Sequence, residues 1–187
     1  MINRKIVQDI ILQIIPVMIG VYLGFLVSNY AEKQKGKQRS KQLIENIISE
    51  LKINKDNLQS VVNYHKMLKD SARNYSNPKV KMGSLDFFEG INAKTLSQSA
   101  YMTGIQTGAI NELPLNQIQI LNQYYTFQTS YNEYGKSIIN TFMNKDLSGE
   151  EKSIRDIANF LSVSMTDIVI MEDNLLKGIE QVTKELK

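Results

Sequence analysis

Residues 10–27 read IILQIIPVMIGVYLGFLV, eighteen positions without a charge and with Gln13 as the one strongly polar interruption. A helix of that length rises roughly 27 Å, close to the hydrocarbon thickness of a bilayer, and Ser28 extends the spanning segment to 10–28. Ile10, Ile11, Ile14, Ile15, Val17, Val21 and Phe25 fall all round its circumference, whereas the core helix of a soluble domain keeps a polar face for water. A cleaved leader fits less well. The run exceeds the usual apolar stretch of about 7–15 residues, and Ala31 has Asn29, not a small side chain, two residues before it. The reading is an uncleaved anchor behind a short tail over 1–9. The next most apolar stretch, IANFLSVSMTDIVIM over 157–171, contains Asp167, whose carboxylate at mid-bilayer costs roughly 3 kcal/mol. A single pass through a bacterial inner membrane is expected.

Gly20, Gly24 and Ser28 recur every fourth residue and share a helix face, a small-xxx-small pattern that lets another helix approach closely. Gln13 gains on the order of 1 kcal/mol from an amide partner across such an interface. Chance composition is the competing explanation, because glycine is common in membrane helices. Pro16 lacks an amide donor and is expected to loosen the turn before it. Beyond the span, residues 32–41 read EKQKGKQRSK, so that Lys33, Lys35, Lys37, Arg39 and Lys41 form a juxtamembrane segment, 29–41, within reach of anionic headgroups. Membrane lipids are therefore expected partners. Nucleic acid is not, since the net charge is only +3 and no aromatic interleaving accompanies the basic residues. Arg4 and Lys5 before the span against five basic residues after it favour a cytoplasmic C-terminal domain. MINRK ahead of an apolar run is also how a signal anchor with an inside N-terminus begins, which leaves the opposite placement open.

From Gln42 the pattern takes helical period. Ile44, Ile47, Leu51, Leu58, Val61 and Leu68 alternate at three and four spacing, interrupted on the same stripe by Asn54 and His65 and widened by Ile48 and Val62. A long helix over 42–73 is expected. Residues 74–92, with Pro78, Gly83 and Gly90, break the period and read as a connection with one short turn around Leu85 to Phe88. A helix over 93–107 should end on Gly108 as a left-handed cap, and Pro114 should open a helix over 115–144. That helix carries Tyr124, Phe127, Tyr131, Tyr134 and Ile138 at core spacing, with Tyr125 adjacent; a bundle seam whose hydroxyls reach the rim is preferred to a ligand wall. Gly135 within it permits a close crossing. Ser148 and Glu151 form a capping box for a last helix over 149–186, where Ile154, Leu161, Ile168, Leu175 and Val182 recur every seventh residue. The polar cluster over 162–166 allows either one helix or two collinear ones. No strand-period stretch of useful length occurs. The expected fold is all-α, a single N-terminal transmembrane helix followed by a long-helix bundle or coiled-coil-like domain over 42–187.

The chain has no cysteine and one histidine, His65, which removes thiolate chemistry, thiolate metal sites and histidine clusters. No phosphate-cradling, dinucleotide-binding, HExxH or GxSxG pattern is present, and the glycines of TGIQTG at 103–108 lack the preceding strand that such loops need. The carboxylate pairs Glu150-Glu151 and Glu172-Asp173 read as solvated charge, and His65 as a structural histidine, because no nearby spacing completes a relay. No catalytic residue, metal or cofactor is expected, and the chain is not read as an enzyme.

Three patches carry a resemblance: SNYAEKQKGKQR at the membrane exit, AYMTGIQTGAINELPLNQIQILNQYY over 100–125, and LLKGIEQVTKEL near the end. In their order they resemble a family of uncharacterised, N-terminally membrane-anchored helical proteins found mainly in Bacteroidota. Tyr30 and Tyr101 stand where that family favours tryptophan. The resemblance implies no activity, cofactor or catalytic residue. The function expected from these features is that of an anchored helical scaffold or accessory subunit, self-associating or docking onto a membrane protein partner. The alternative is an oligomeric membrane effector or channel-like component whose transmembrane helices assemble under control of the helical domain.

Overall fold

The computed structural model describes residues 4–80 and 84–187, with side chains from residue 13 onward. Gly83, and the side chains of Arg4, Lys5 and residues 10–12, lie outside the described residues. The architecture is all-α: α1 (Arg4–Tyr75), α2 (Ser99–Gln106), a 3-10 helix (Ala109–Glu112), α3 (Leu115–Met143) and α4 (Glu151–Glu185). Among the described residues there is no strand.

The anchor, the basic segment and the first long helix, expected as three pieces, run as one 72-residue helix. Lys, Arg, Gln and Glu fill most of 32–42 and are all good helix formers, so a single Gly36 costs only about 1 kcal/mol and does not break the run. Burial divides α1 instead. Residues 13–35 are exposed throughout, and the core stripe starts at Gly36 and continues through Leu43, Ile47, Asn54, Leu58, His65 and Ala72.

α4 packs along both α1 and α3, with Leu161, Met165, Ile168, Leu175 and Val182 in the shared core. Thr166 returns its hydroxyl to the Ser162 carbonyl at 2.7 Å, and α4 stays one helix through its polar cluster. The space between α1 and α3 holds residues 84–98, an irregular strap with one turn at 85–88, followed by α2. Residues 93–98, expected as helix, are extended because side chains claim their main chain. Asn132 on α3 accepts from the Leu96 N–H and donates to the Leu96 carbonyl, both at 2.9 Å. Asn54 on α1 treats Ser97 the same way, at 2.9 and 2.8 Å, and Gln128 adds a second donor to the Ser97 carbonyl at 2.8 Å. These amides replace the neighbouring strands that an extended segment would otherwise need. Gly135 meets this strap, not a helix: a Cβ there would stand 3.2 Å from Ala93 Cβ.

Asn54 is fully buried, so Asn54→Ala takes the partner from the Ser97 amide and leaves the Gln128 side-chain oxygen without a donor in the core. The expected loss is about 1–3 kcal/mol, read as a lower denaturant midpoint with hydrogen-exchange protection lost first at Ser97.

Helix ends follow tertiary partners as much as local sequence. Gly108 takes φ +71, the left-handed position after α2, and Pro114 is the N-cap of α3. The capping box at the start of α4 does not form. Ser148 is bonded instead to Asp146 at 3.1 Å, Glu150 is the N-cap residue, and Glu151 pairs with Arg155 at 2.8 Å. Asp146 is two residues from Ser148 and makes the shorter loop, which outcompetes the box.

Candidate functional site

Gln13, Gly20, Gly24 and Ser28 are exposed, and nothing lies within 4 Å of where a Cβ would stand on either glycine. At about 100° per residue the four positions fall within about 80° of the helix circumference. The buried stripe from Gly36 to Ala72 lies about 120° away on the same straight count. On this count the bundle hangs from a different side of α1, and the small-residue face is uncovered, as is every face of residues 13–35.

Lys33, Lys35, Lys37, Arg39 and Lys41 are all exposed. They form two rows, Lys33, Lys37 and Lys41 on one flank of the buried stripe and Lys35 and Arg39 on the other. Between the rows, Gly36 is covered by the 3-10 helix: a Cβ there would stand 2.7 Å from Glu112 Oε2. Farther along, a Cβ on Gly104 would stand 2.7 Å from Leu43 Cδ1. α2 thus runs back along α1 toward the apolar end and brings a carboxylate into the basic segment. The only sequence signal for this was a glycine among helix formers.

The core holds two buried carboxylates. Glu50 of α1 accepts from the Ala100 N–H at 2.9 Å, Ser97 Oγ at 2.8 Å and the Tyr125 hydroxyl at 2.8 Å. It caps α2 from outside that helix, whose own N-cap residue Gln98 makes no such bond. Glu172 of α4, expected to be solvated, is 0% exposed. Its Oε1 lies 2.8 Å from His65 Nδ1 and accepts from the Tyr131 hydroxyl at 3.1 Å, while Oε2 has no partner. His65 Nε2 lies 2.8 Å from the Ile91 carbonyl. That carbonyl can only accept, so Nε2 carries a proton and one further proton is held between Nδ1 and Oε1. Asp173, the neighbour of Glu172, stays partly exposed and pairs with Lys66 at 3.0 Å.

The expectation that the tyrosine hydroxyls reach the rim is corrected for three of them, the Tyr124 hydroxyl being buried without a partner among the described residues. Tyr125 and Tyr131 point inward, and their phenols are held far above the ordinary value, first by burial and then by the neighbouring carboxylates Glu50 and Glu172. They remain protonated donors at every physiological pH. Tyr134 does reach the rim, where burial and its bond to Asp167 push it up to about 12. The His65, Glu172 and Tyr131 cluster has a relay's residue types but no solvent access, and it joins α1, the strap, α3 and α4. Its role is architectural.

A surface groove of about 740 Å³ lies between α1 and α2, with Arg39, Gln42 and Asn46 on one wall and Ser99, Thr103 and Thr107 on the other. Among the described residues no group of three His, Asp or Glu side chains is placed to hold a metal ion. Among the described residues one helix, α1, is long and apolar enough near its N-terminus to cross a membrane, and none of its apolar window is buried in the fold. Comparison with models of protein families, with curated proteins and with solved structures gives no match.

Proposed function

We propose that the chain is a single-pass protein of a bacterial inner membrane and serves as an anchored helical scaffold or accessory subunit. The bundle lies on the cytoplasmic side, and the protein works by self-association or by docking onto a membrane protein. One observation carries this reading: the apolar stretch stands wholly outside the bundle yet belongs to the helix whose continuation forms the core seam. An exposed run that includes Ile14, Val17, Val21, Phe25 and Val27 is untenable in water and suited to lipid. Because the helix is unbroken, whatever orients the span also orients the bundle, as a scaffold requires. Lys33 and Lys35 then stand nearest the anionic headgroups on leaving the bilayer, and tilting of α1 brings Lys37, Arg39 and Lys41 toward them. Membership of the Bacteroidota family of anchored helical proteins belongs to the same proposal and rests on the three patches quoted above.

Washing of membranes with alkaline carbonate tests the anchor. The wild-type chain stays in the pellet, and Ile19→Asp with Leu23→Asp, each costing roughly 3 kcal/mol in the bilayer, releases it as a folded bundle. Full release of the wild-type chain would overturn the reading. The chain has no cysteine of its own, so Ile53→Cys, at an exposed position of the bundle, supplies a single thiol that reports the side. A membrane-impermeant maleimide reaches that thiol only from the cytoplasm, and labelling from the outer face would reverse the orientation.

A further inference from the structure

We infer that the groove between α1 and α2 is a binding site for a phosphate-bearing anion, held by Arg39. The inference deepens the lipid-contact reading above and rests on it only for the source of the ligand.

Arg39 lines the groove and makes no hydrogen bond or ion pair among the described residues. Arg155, by contrast, is engaged by Glu151 and the Asn77 carbonyl. A free guanidinium presents a planar fork of donors that matches a phosphate. The groove lining includes no carboxylate; the carboxylates nearest to it, Glu112 over Gly36 and Glu50 on the Ala100 N–H, make no ion pair with Arg39. Ser99 and Thr103, one turn apart on α2, present hydroxyls opposite the amides of Gln42 and Asn46, while the Thr107 hydroxyl just beyond the helix donates to the Thr103 carbonyl at 2.7 Å. Leu43 forms an apolar floor, and its contact with Gly104 fixes the spacing of the walls. The volume, about 740 Å³, is that of a small-molecule site, and a cation with neutral donors over an apolar base is the composition such sites use. Lys35, one turn nearer the apolar end on the same flank, adds positive potential at the mouth.

Arg39 follows Val27 by twelve residues, about 18 Å along the helix. That lies beyond the headgroup layer of an upright span, so the phosphate comes either from a lipid headgroup reached by tilting of α1 or from a phosphate ester in water. The chemistry is shared, and the source is what experiment separates.

The test uses the full chain in phosphatidylcholine nanodiscs, with hydrogen exchange of residues 99–109 as the readout. One arm titrates phosphatidylglycerol into the discs, and the other titrates glycerol 1-phosphate into the buffer. Saturable protection of α2 is expected in at least one arm, and the responding arm names the source. Arg39→Gln, which removes no internal contact, raises the midpoint about tenfold, the worth of a charge-assisted hydrogen-bond pair. Lys41→Gln, on the opposite flank, shifts it by less than about twofold. Thr103→Phe fills the groove and abolishes protection while exchange in α3 and α4 stays unchanged. No saturable protection in either arm overturns the inference, as do equal shifts from Arg39→Gln and Lys41→Gln, the mark of diffuse surface charge. A chain that washes off membranes in carbonate yet shows protection by glycerol 1-phosphate would retain the site and lose the anchor.

Discussion

Replacing His65 with alanine is expected to cost about 3–5 kcal/mol of bundle stability, the range for leaving one member of a buried ion pair behind. The imidazole closes two contacts at once, and its loss strands the Ile91 carbonyl and the Glu172 carboxylate in a core with no solvent access. Glu172→Ala is expected to be similarly damaging. Glu172→Gln is different. Its amide can donate to Nδ1 while the Nε2 proton stays on Ile91, so the loss falls to about 1 kcal/mol. Tyr131→Phe removes one donor from Oε1 and costs about the same. The double variant His65→Leu, Glu172→Leu removes both polar groups and should recover much of the single-variant loss. Denaturant unfolding of the full chain in mild detergent, followed by helical circular dichroism, measures all five. Single alanine variants within about 0.5 kcal/mol of wild type would show that the cluster contributes nothing to the fold.

The cluster also shows where sequence reading stops. The seam of α1 was legible because its apolar positions recur at three and four spacing, and so were α3, α4 and the glycine that ends α2. The interruptions of the seam were visible too. Asn54 and His65 sit on an apolar stripe, and such residues are buried only if something bonds them. What bonds them was not visible, because Glu172 is 107 residues from His65 and Ser97 is 43 from Asn54. The same distance effect hid the extended course of residues 93–98. Their composition permits helix, and tertiary amide bonds override a local preference of a few tenths of a kcal/mol per residue. Glu172 was misread as solvated because a charged residue on a helix usually is, and its neighbour Asp173 obeys the rule. Of the candidate site, the small-residue face and the five basic residues were legible as patterns. Their relation to the bundle was not, since it depends on α1 continuing unbroken through Gly36 and on Glu112 folding back over it.

That continuity sets the geometry of any self-association. If two copies pack through Gly20 and Gly24, the bundles are carried about 120° away from the contact and do not obstruct it. Ser28 lies on the contact face one turn beyond Gly24, and Leu26 lies on the opposite side. In a chain without cysteine, Ser28→Cys should form disulfide-linked dimers in membranes under mild oxidation, and Leu26→Cys should form few. Adding Gly24→Leu to Ser28→Cys should reduce the linked fraction about tenfold, because a leucine side chain keeps the backbones apart where close approach supplies the attraction. The basis is dispersion and shape, not charge, so the cross-linked yield should hardly change with salt. Equal linkage at 26 and 28, or linkage indifferent to Gly24→Leu, would mean that the exposed glycines are not a contact face. The proposed scaffold would then have to work through its bundle, with the proposed span as an anchor only.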